Sequence, residues 1–263
     1  DEVKSDFDSA LCSTEWLEEH LDKVIPVDGS WVMPFSRRDL RDEWIQCHLP
    51  QARFLDIERL SAKHPVLPHP LPSSQMFASA MTSLGIDKDS HVVVYDNSYL
   101  FSACRLYWMF KVFGHKNVSI LNGGLPKWLA EKRPVRSGLQ DLSRLPPAKD
   151  KYSCKLHTKL VRRYDEILDN TWAWINTAKD KADTTGLEYV LDARNSERFQ
   201  GLIPEPRPGI ASGSIPHSVN TFWEDLVDKD KKTGAITLKS RDELRRYFAT
   251  KNIDTTKPLV SSC

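Results

Sequence analysis

The sequence predicts an α/β protein made of two tandem copies of one unit, each a mostly parallel sheet flanked by helices, with the second copy incomplete. Three observations predict it. Short apolar runs of strand length alternate with segments of helical period, the pattern of a parallel sheet covered by helices. The alternation occurs twice, at a nearly constant spacing. The 263 residues, 40% hydrophobic and 28% charged, suffice for two ordinary globular domains.

The paired elements follow in chain order. Val24-Ile25-Pro26-Val27-Asp28 matches Glu188-Tyr189-Val190-Leu191-Asp192, an offset of 164 from Asp28 to Asp192. Each run leads to a polar turn, His48-Leu49-Pro50 in one half and Ser214-Ile215-Pro216 in the other, and then to strand-like residues, Ala52 to Ile57 and Ser218 to Phe222. Residues 74–84 place Phe77, Ala80, Met81 and Leu84 on one helical face, closed by Gly85. Their counterpart, 240–251, opens with the capping-box pair Ser240 and Glu243 and aligns Leu244, Tyr247 and Phe248. Gly85-Ile86-Asp87 through Val92-Val93-Val94-Tyr95-Asp96 then matches Asn252-Ile253-Asp254 through Leu259-Val260-Ser261-Ser262-Cys263, an offset of 167 from Asp96 to Cys263.

The first half continues with a helix at 103–113, a strand at Val118–Leu121, a turn at Asn122-Gly123-Gly124 and a short helix at 125–131. The second half has no such continuation. By its own template it lacks about 40 residues, on the order of one βα-βα unit. The expected organisation is a first domain over 1–135, a linker over 136–155 within a stretch rich in proline and charge, and a second domain over 156–263.

The net charge of +1 gives no electrostatic case for nucleic acid or an anionic membrane as partner. No window approaches the roughly 18 apolar residues of a membrane span. The chain opens at Asp1, so any targeting peptide lies outside what can be read. Cys12, Cys47, Cys104, Cys154 and Cys263 are odd in number and widely spaced, which fits a reducing compartment better than a disulfide scaffold. No CxxC or HxxxH spacing suggests zinc, and no cofactor is implied.

In an open α/β sheet, sites form where strands end at the carboxyl edge. Cys263 follows such a strand, and Asp96 holds its place in the first copy. A cysteine beyond an apolar run can be a small core residue. Here the polar Ser261 and Ser262 precede it, and its repeat partner is a carboxylate. Arg198 and Arg207 flank the loop after Asp192. Two guanidinium groups there suit a small anion, although solvated surface charge is the plain alternative. His69, between Pro68 and Pro70, lies eleven residues after Glu58. The two could handle a proton, or His69 could be structural. For His48 and Asp56, a polar cap between loop and strand is the expected role.

At these residues the sequence resembles the rhodanese superfamily, nearest to its two-domain mercaptopyruvate sulfurtransferases. Cys47-His48-Leu49-Pro50-Gln51-Ala52-Arg53-Phe54-Leu55-Asp56-Ile57 is similar to the first-domain signature, with Gln51 where glycine is usual. Leu191-Asp192-Ala193-Arg194, Arg198-Phe199-Gln200-Gly201, Pro204-Glu205-Pro206-Arg207 and Ser212-Gly213-Ser214-Ile215-Pro216 resemble the second domain, with Ser214 where histidine is common. The resemblance implies two rhodanese-like domains, the first non-catalytic. It implies a Cys263 nucleophile, donor binding by Arg198 and Arg207, and a supporting role for His69 and Glu58, the latter where aspartate is usual. It also implies a sulfur donor such as 3-mercaptopyruvate or thiosulfate, a thiol acceptor such as thioredoxin or glutathione, and a monomer of the cytoplasm or mitochondrion.

If the chain ends at Cys263, its α-carboxylate sits beside the thiol and disfavours the thiolate. The last strand then exposes an apolar edge. Poor stability and little activity are the expectations for that case. Two other readings are a rhodanese-like module that only binds a partner, and a phosphatase of the superfamily. The duplicated unit and the arginine pair count against the phosphatase.

Overall fold

A computed structural model of the chain describes residues 10–33, 36–64, 69–97, 101–139, 151–180, 184–206 and 209–262. It divides into two compact units, one of residues 1–160 with 229–237, the other of 161–228 with 238–263.

The first unit holds strands β1 (Leu11–Cys12), β2 (Val24–Asp28), β3 (Arg53–Phe54), β4 (His91–Tyr95) and β5 (Val118–Leu121), in the order β1-β5-β4-β2-β3 with every pairing parallel. Its helices are α1 (Thr14–Glu19), α2 (Leu40–Gln46), α3 (Ile57–Leu60), α4 (Ser74–Ser83), α5 (Phe101–Val112) and α6 (Gly124–Ala130). In the second unit, α7 (Tyr164–Asp180) precedes β6 (Tyr189–Asp192), and α8 (Ser196–Phe199) precedes β7 (Val219–Asn220). Next in the chain come β8 (Val227–Lys229) and β9 (Ile236–Leu238), which pair as a two-stranded ribbon, and then α9 (Arg241–Thr250) and β10 (Leu259–Ser262) of the second unit. The sheet order is β10-β6-β7, again parallel.

The duplication read from the sequence holds bond for bond. Asp28 pairs with Tyr95 in one sheet and Asp192 with Ser262 in the other, so both offsets meet in one register. Gly29 N–H donates to Tyr95 C=O, and Ala193 N–H to Ser262 C=O, each at 2.9 Å. Leu55 N–H donates to Asp28 C=O, and Thr221 N–H to Asp192 C=O, each at 2.8 Å. The left-handed residues repeat as well. Gln51 (φ 61°) answers His217 (φ 63°), and Gly85 (φ 62°) answers Asn252 (φ 55°). The usual glycine at the Gln51 position thus has a steric reason.

Two strands are shorter than expected. Ala52 to Ile57 yields only Arg53–Phe54, because Asp56 caps α3 by accepting from Arg59 N–H at 3.1 Å, which turns Ile57 into a helix. Ser218 to Phe222 yields only Val219–Asn220.

The Ser240 hydroxyl accepts from Glu243 N–H at 3.3 Å, and the Glu243 carboxylate accepts from Ser240 N–H at 3.0 Å, the reciprocal box expected there. Ser240→Ala is expected to cost about 1 kcal/mol in chemical denaturation. An unchanged midpoint would show that packing alone holds α9.

The first core is a continuous aromatic and aliphatic layer. Val92, Val93, Val94 and Tyr95 of β4 are fully buried, as a strand covered on both faces requires. Phe77 stacks on Phe113 with centroids 4.4 Å apart and meets Phe110 edge-on at 5.4 Å. Tyr152 is buried against this layer, its hydroxyl 2.9 Å from His115 Nδ1. Burial pushes His115 down to about 4. Arg136 bridges His48 in antiparallel fashion. The described ends of the proline-rich segment therefore pack on the first unit. In β10, by contrast, no residue is buried, and Leu259 is 39% exposed. Among the described residues no helix is long and apolar enough to cross a membrane.

Candidate active site

Both sheets end at their carboxyl edges in loops set by an aspartate, Asp28 at the end of β2 and Asp192 at the end of β6. Asp28 Oδ1 accepts from Ser30 N–H at 2.8 Å, and Asp192 Oδ1 accepts from Arg194 N–H at 3.0 Å, the same Asx turn in both copies. The difference lies two residues on. Where the first copy has Ser30, the second has Arg194, whose guanidinium grips Asp192 at 2.6 Å.

Among the described residues Asp28 has no such cation, and burial, followed by the charge of Asp96, pushes its carboxyl up to about 6. The native state then keeps a proton between about pH 4 and pH 6 that the unfolded chain releases, so stability falls as pH rises through that window. The loss is on the order of 3 kcal/mol. Asp28→Asn removes the charge and keeps an oxygen for Ser30 N–H. The variant is expected to gain on the parent by about 2 kcal/mol between about pH 4 and pH 7. Urea midpoints whose difference stays flat with pH would refute this.

Asp96 follows β4 as Cys263 follows β10 in the sequence. Its carboxylate is buried and accepts from Ser102 Oγ at 2.9 Å and from Ala103 N–H at 2.8 Å, at the start of α5. An anion is thus already satisfied by a helix N-terminus at that position in the first copy. Gly124 (φ 56°) lies so close that a Cβ would stand 2.5 Å from Asp96 C=O. The Gly123-Gly124 turn is needed for that approach.

Glu58 and His69 meet in the first unit, Nδ1 lying 3.2 Å from Glu58 Oε2, a distance that suits an ion pair although the angle is not that of a hydrogen bond. The other Glu58 oxygen accepts from Trp31 Nε1 at 2.6 Å, and the Trp31 ring meets the imidazole edge-on at 5.0 Å. Trp31 thus steadies the longer carboxylate that stands where aspartate was expected. His69 has φ 50° and precedes Pro70, an unfavourable combination. Its carbonyl accepts from Arg105 Nη2. Burial holds Arg105 below its ordinary range, while the charge of Glu58 acts the other way.

In the second unit Arg198 sits in the last turn of α8, whose N-cap Asn195 accepts from Arg198 N–H at 3.0 Å. Its Nη2 donates to Glu205 Oε2 at 2.6 Å. Glu205 also accepts from Arg194 Nη1 at 2.7 Å. Arg194 is held further by Gly213 C=O at 2.8 Å. Asn220 Nδ2 donates to Asp192 C=O at 3.2 Å and to Arg194 C=O at 2.7 Å, bracing the loop from β7. Arg207 and Cys263 lie outside the described residues.

Trp31, Arg105, Arg194 and Glu205 were not singled out as site residues from the sequence. The motif Pro204-Glu205-Pro206 was the one available signal for Glu205, since flanking prolines fix the backbone of a residue worth fixing. Nothing local links Trp31 to Glu58.

The Rhodanese-like domain family matches residues 13–131. The 3-mercaptopyruvate sulfurtransferase of Mus musculus is 38% identical, over 97% of this chain and 81% of that protein. The thiosulfate sulfurtransferase of Bos taurus is 39% identical over the same shares. The crystal structure of SseA from Escherichia coli, described as a 3-mercaptopyruvate sulfotransferase of rhodanese fold, superposes with a TM-score of 0.79 at 32% identity, over 97% of this chain and 88% of that one. With the duplicated parallel sheets and the loop chemistry above, these likenesses make the chain a sulfurtransferase of the rhodanese family.

Proposed function

We propose that Cys263 is the nucleophile and 3-mercaptopyruvate the donor, with thiosulfate as an alternative donor. The thiolate attacks the donor sulfur. An S–S bond forms as the donor's C–S bond breaks, and the electron pair leaves with the enolate of pyruvate, which takes up a proton. Cys263 keeps the sulfur as a persulfide. An acceptor thiolate such as thioredoxin or glutathione, or cyanide, attacks the outer sulfur and returns the Cys263 thiolate. Arg198 and Arg207 bind the donor's carboxylate and carbonyl, and the Glu58–His69 pair supplies protons. Residues 1–135 are read as the non-catalytic domain and 156–263 as the catalytic one, in a monomer. A mitochondrial or cytoplasmic setting is part of the proposal. It draws on the Arabidopsis thaliana relative named as a mitochondrial thiosulfate/3-mercaptopyruvate sulfurtransferase, 34% identical to this chain.

The observation that carries the reading is Arg198 on the loop after β6, a loop whose Ala193 N–H is bonded to Ser262, the residue before Cys263. The test supplies each donor in turn with cyanide or reduced thioredoxin and measures pyruvate or sulfite. Mass spectrometry of the peptide holding Cys263 reads its extra sulfur. Faster turnover of thiosulfate would reverse the donor assignment, and an unmodified Cys263 during turnover would overturn the mechanism.

A further inference from the structure

We propose that Glu205 is a positioning residue that turns one edge of the Arg198 guanidinium away from the donor and presents the other, so that the site favours a planar carboxylate over a tetrahedral anion. The proposal rests on the reading of Arg198 as a donor-binding residue.

A guanidinium has two edges that can each donate a pair of hydrogen bonds. In Arg198, Nη2 donates to Glu205 Oε2 at 2.6 Å, and Nε lies 3.4 Å from Oε1, so the side-on edge faces Glu205. Among the described residues nothing accepts from Arg198 Nη1. That nitrogen and the second N–H of Nη2 form the end-on edge, whose parallel donors match the two oxygens of a carboxylate.

Glu205 is itself held. Its side chain is only 5% exposed, and Oε1 takes Arg194 Nη1 at 2.7 Å. Arg194 is in turn saturated by Asp192 and Gly213. Pro204 and Pro206 restrict the backbone on either side of Glu205. The orientation of Arg198 is thus fixed before any donor arrives.

Charge points the same way. Arg194 and Arg198 face Asp192 and Glu205, two cations against two carboxylates. These four groups carry no net charge between them, so what Glu205 adds to Arg198 is selection by hydrogen-bond geometry. A keto-acid carboxylate is planar and meets both donors of the free edge. The sulfonate end of thiosulfate, with three oxygens on a tetrahedron, does not gain the same fit.

The test is a double-mutant cycle of Glu205→Gln and Arg198→Met, read as kcat and KM for 3-mercaptopyruvate and for thiosulfate. Glu205→Gln is expected to lower kcat/KM for 3-mercaptopyruvate by about 10- to 100-fold. For thiosulfate the expected loss is less than about threefold. In the Arg198→Met background the same change is expected to add nothing further. Equal losses for both donors, or losses that add across the cycle, would mean that Glu205 only holds the fold, and would overturn the proposal. If Arg198→Met leaves both donors unaffected, the reading of Arg198 itself fails. Should Glu205→Gln not fold, Glu205→Asp keeps the charge but shortens the reach. The same selective loss is expected of it, and wild-type selectivity would count against the proposal.

Discussion

Cys263→Ser is expected to abolish persulfide formation and to lower sulfur transfer by about a thousandfold or more. The substitution changes one atom and leaves nearly the same volume, so the fold should be spared. A serine hydroxyl stays protonated at neutral pH and is a poor nucleophile toward sulfur, whereas a thiol supplies some thiolate. Donor turnover and the mass of the peptide holding position 263 would be compared with the parent, with thermal melting as the control for folding. A variant within about tenfold of the parent would mean that another thiol carries the sulfur. Cys12, Cys47 and Cys154 are partly buried and Cys104 is exposed, so each can be replaced in turn to find it.

Phe77→Ala is expected to remove about 3–5 kcal/mol of stability. Phe77 is fully buried on α4 and touches three other rings: Phe113 stacked at 4.4 Å, Phe110 edge-on at 5.4 Å and Tyr152 at 6.0 Å. The cavity left behind would be walled by large rings in fixed rotamers, which cannot close it cheaply. Ring–ring attraction in these stacked and edge-on pairs goes beyond simple area burial, and its removal deepens the loss. Urea titration would show a lower midpoint with a similar slope. A loss under about 1 kcal/mol would show that Tyr152 and its segment slide in to fill the space.

Much of this fold was legible because a duplication supplies its own control. Asp28 and Asp192, or Gly85 and Asn252, can be matched by counting along the chain, and a strand that recurs at the same spacing is better evidence than one apolar run. The template fails where the copies differ. Its short α1 gives no warning of the long α7, although Ile167, Thr171 and Trp174 carry a helical period. That helix is tied to β6 by Trp174 Nε1 and Asn170 Nδ2, both donating to Glu188 C=O, at 2.9 and 3.0 Å. The 136–155 segment, rich in proline and charge, reads as a surface linker. Yet Tyr152 is buried, because one aromatic side chain seated in an apolar layer outweighs the average polarity of its neighbours.

The site divides in the same way. Residue type and order made Glu58, His69, Arg198, Arg207 and Cys263 candidates, each with a structural or surface role as the plain alternative, and the resemblance to the family implied the roles proposed for them. Their partners were hidden. Trp31 reaches Glu58 across 27 residues, and Arg105 reaches His69 across 36. Arg194 and Arg198 look alike in the sequence, yet one is saturated by Asp192, Glu205 and Gly213 while the other keeps an edge without a partner among the described residues. Periodicity and repeat spacing are properties of neighbouring residues, so the duplicated sheets were legible in the sequence by itself, and the order of its motifs carried the resemblance to the family. Which guanidinium is spent on structure and which keeps an edge without a described partner depends on where distant loops return in space, and only the tertiary structure decided that.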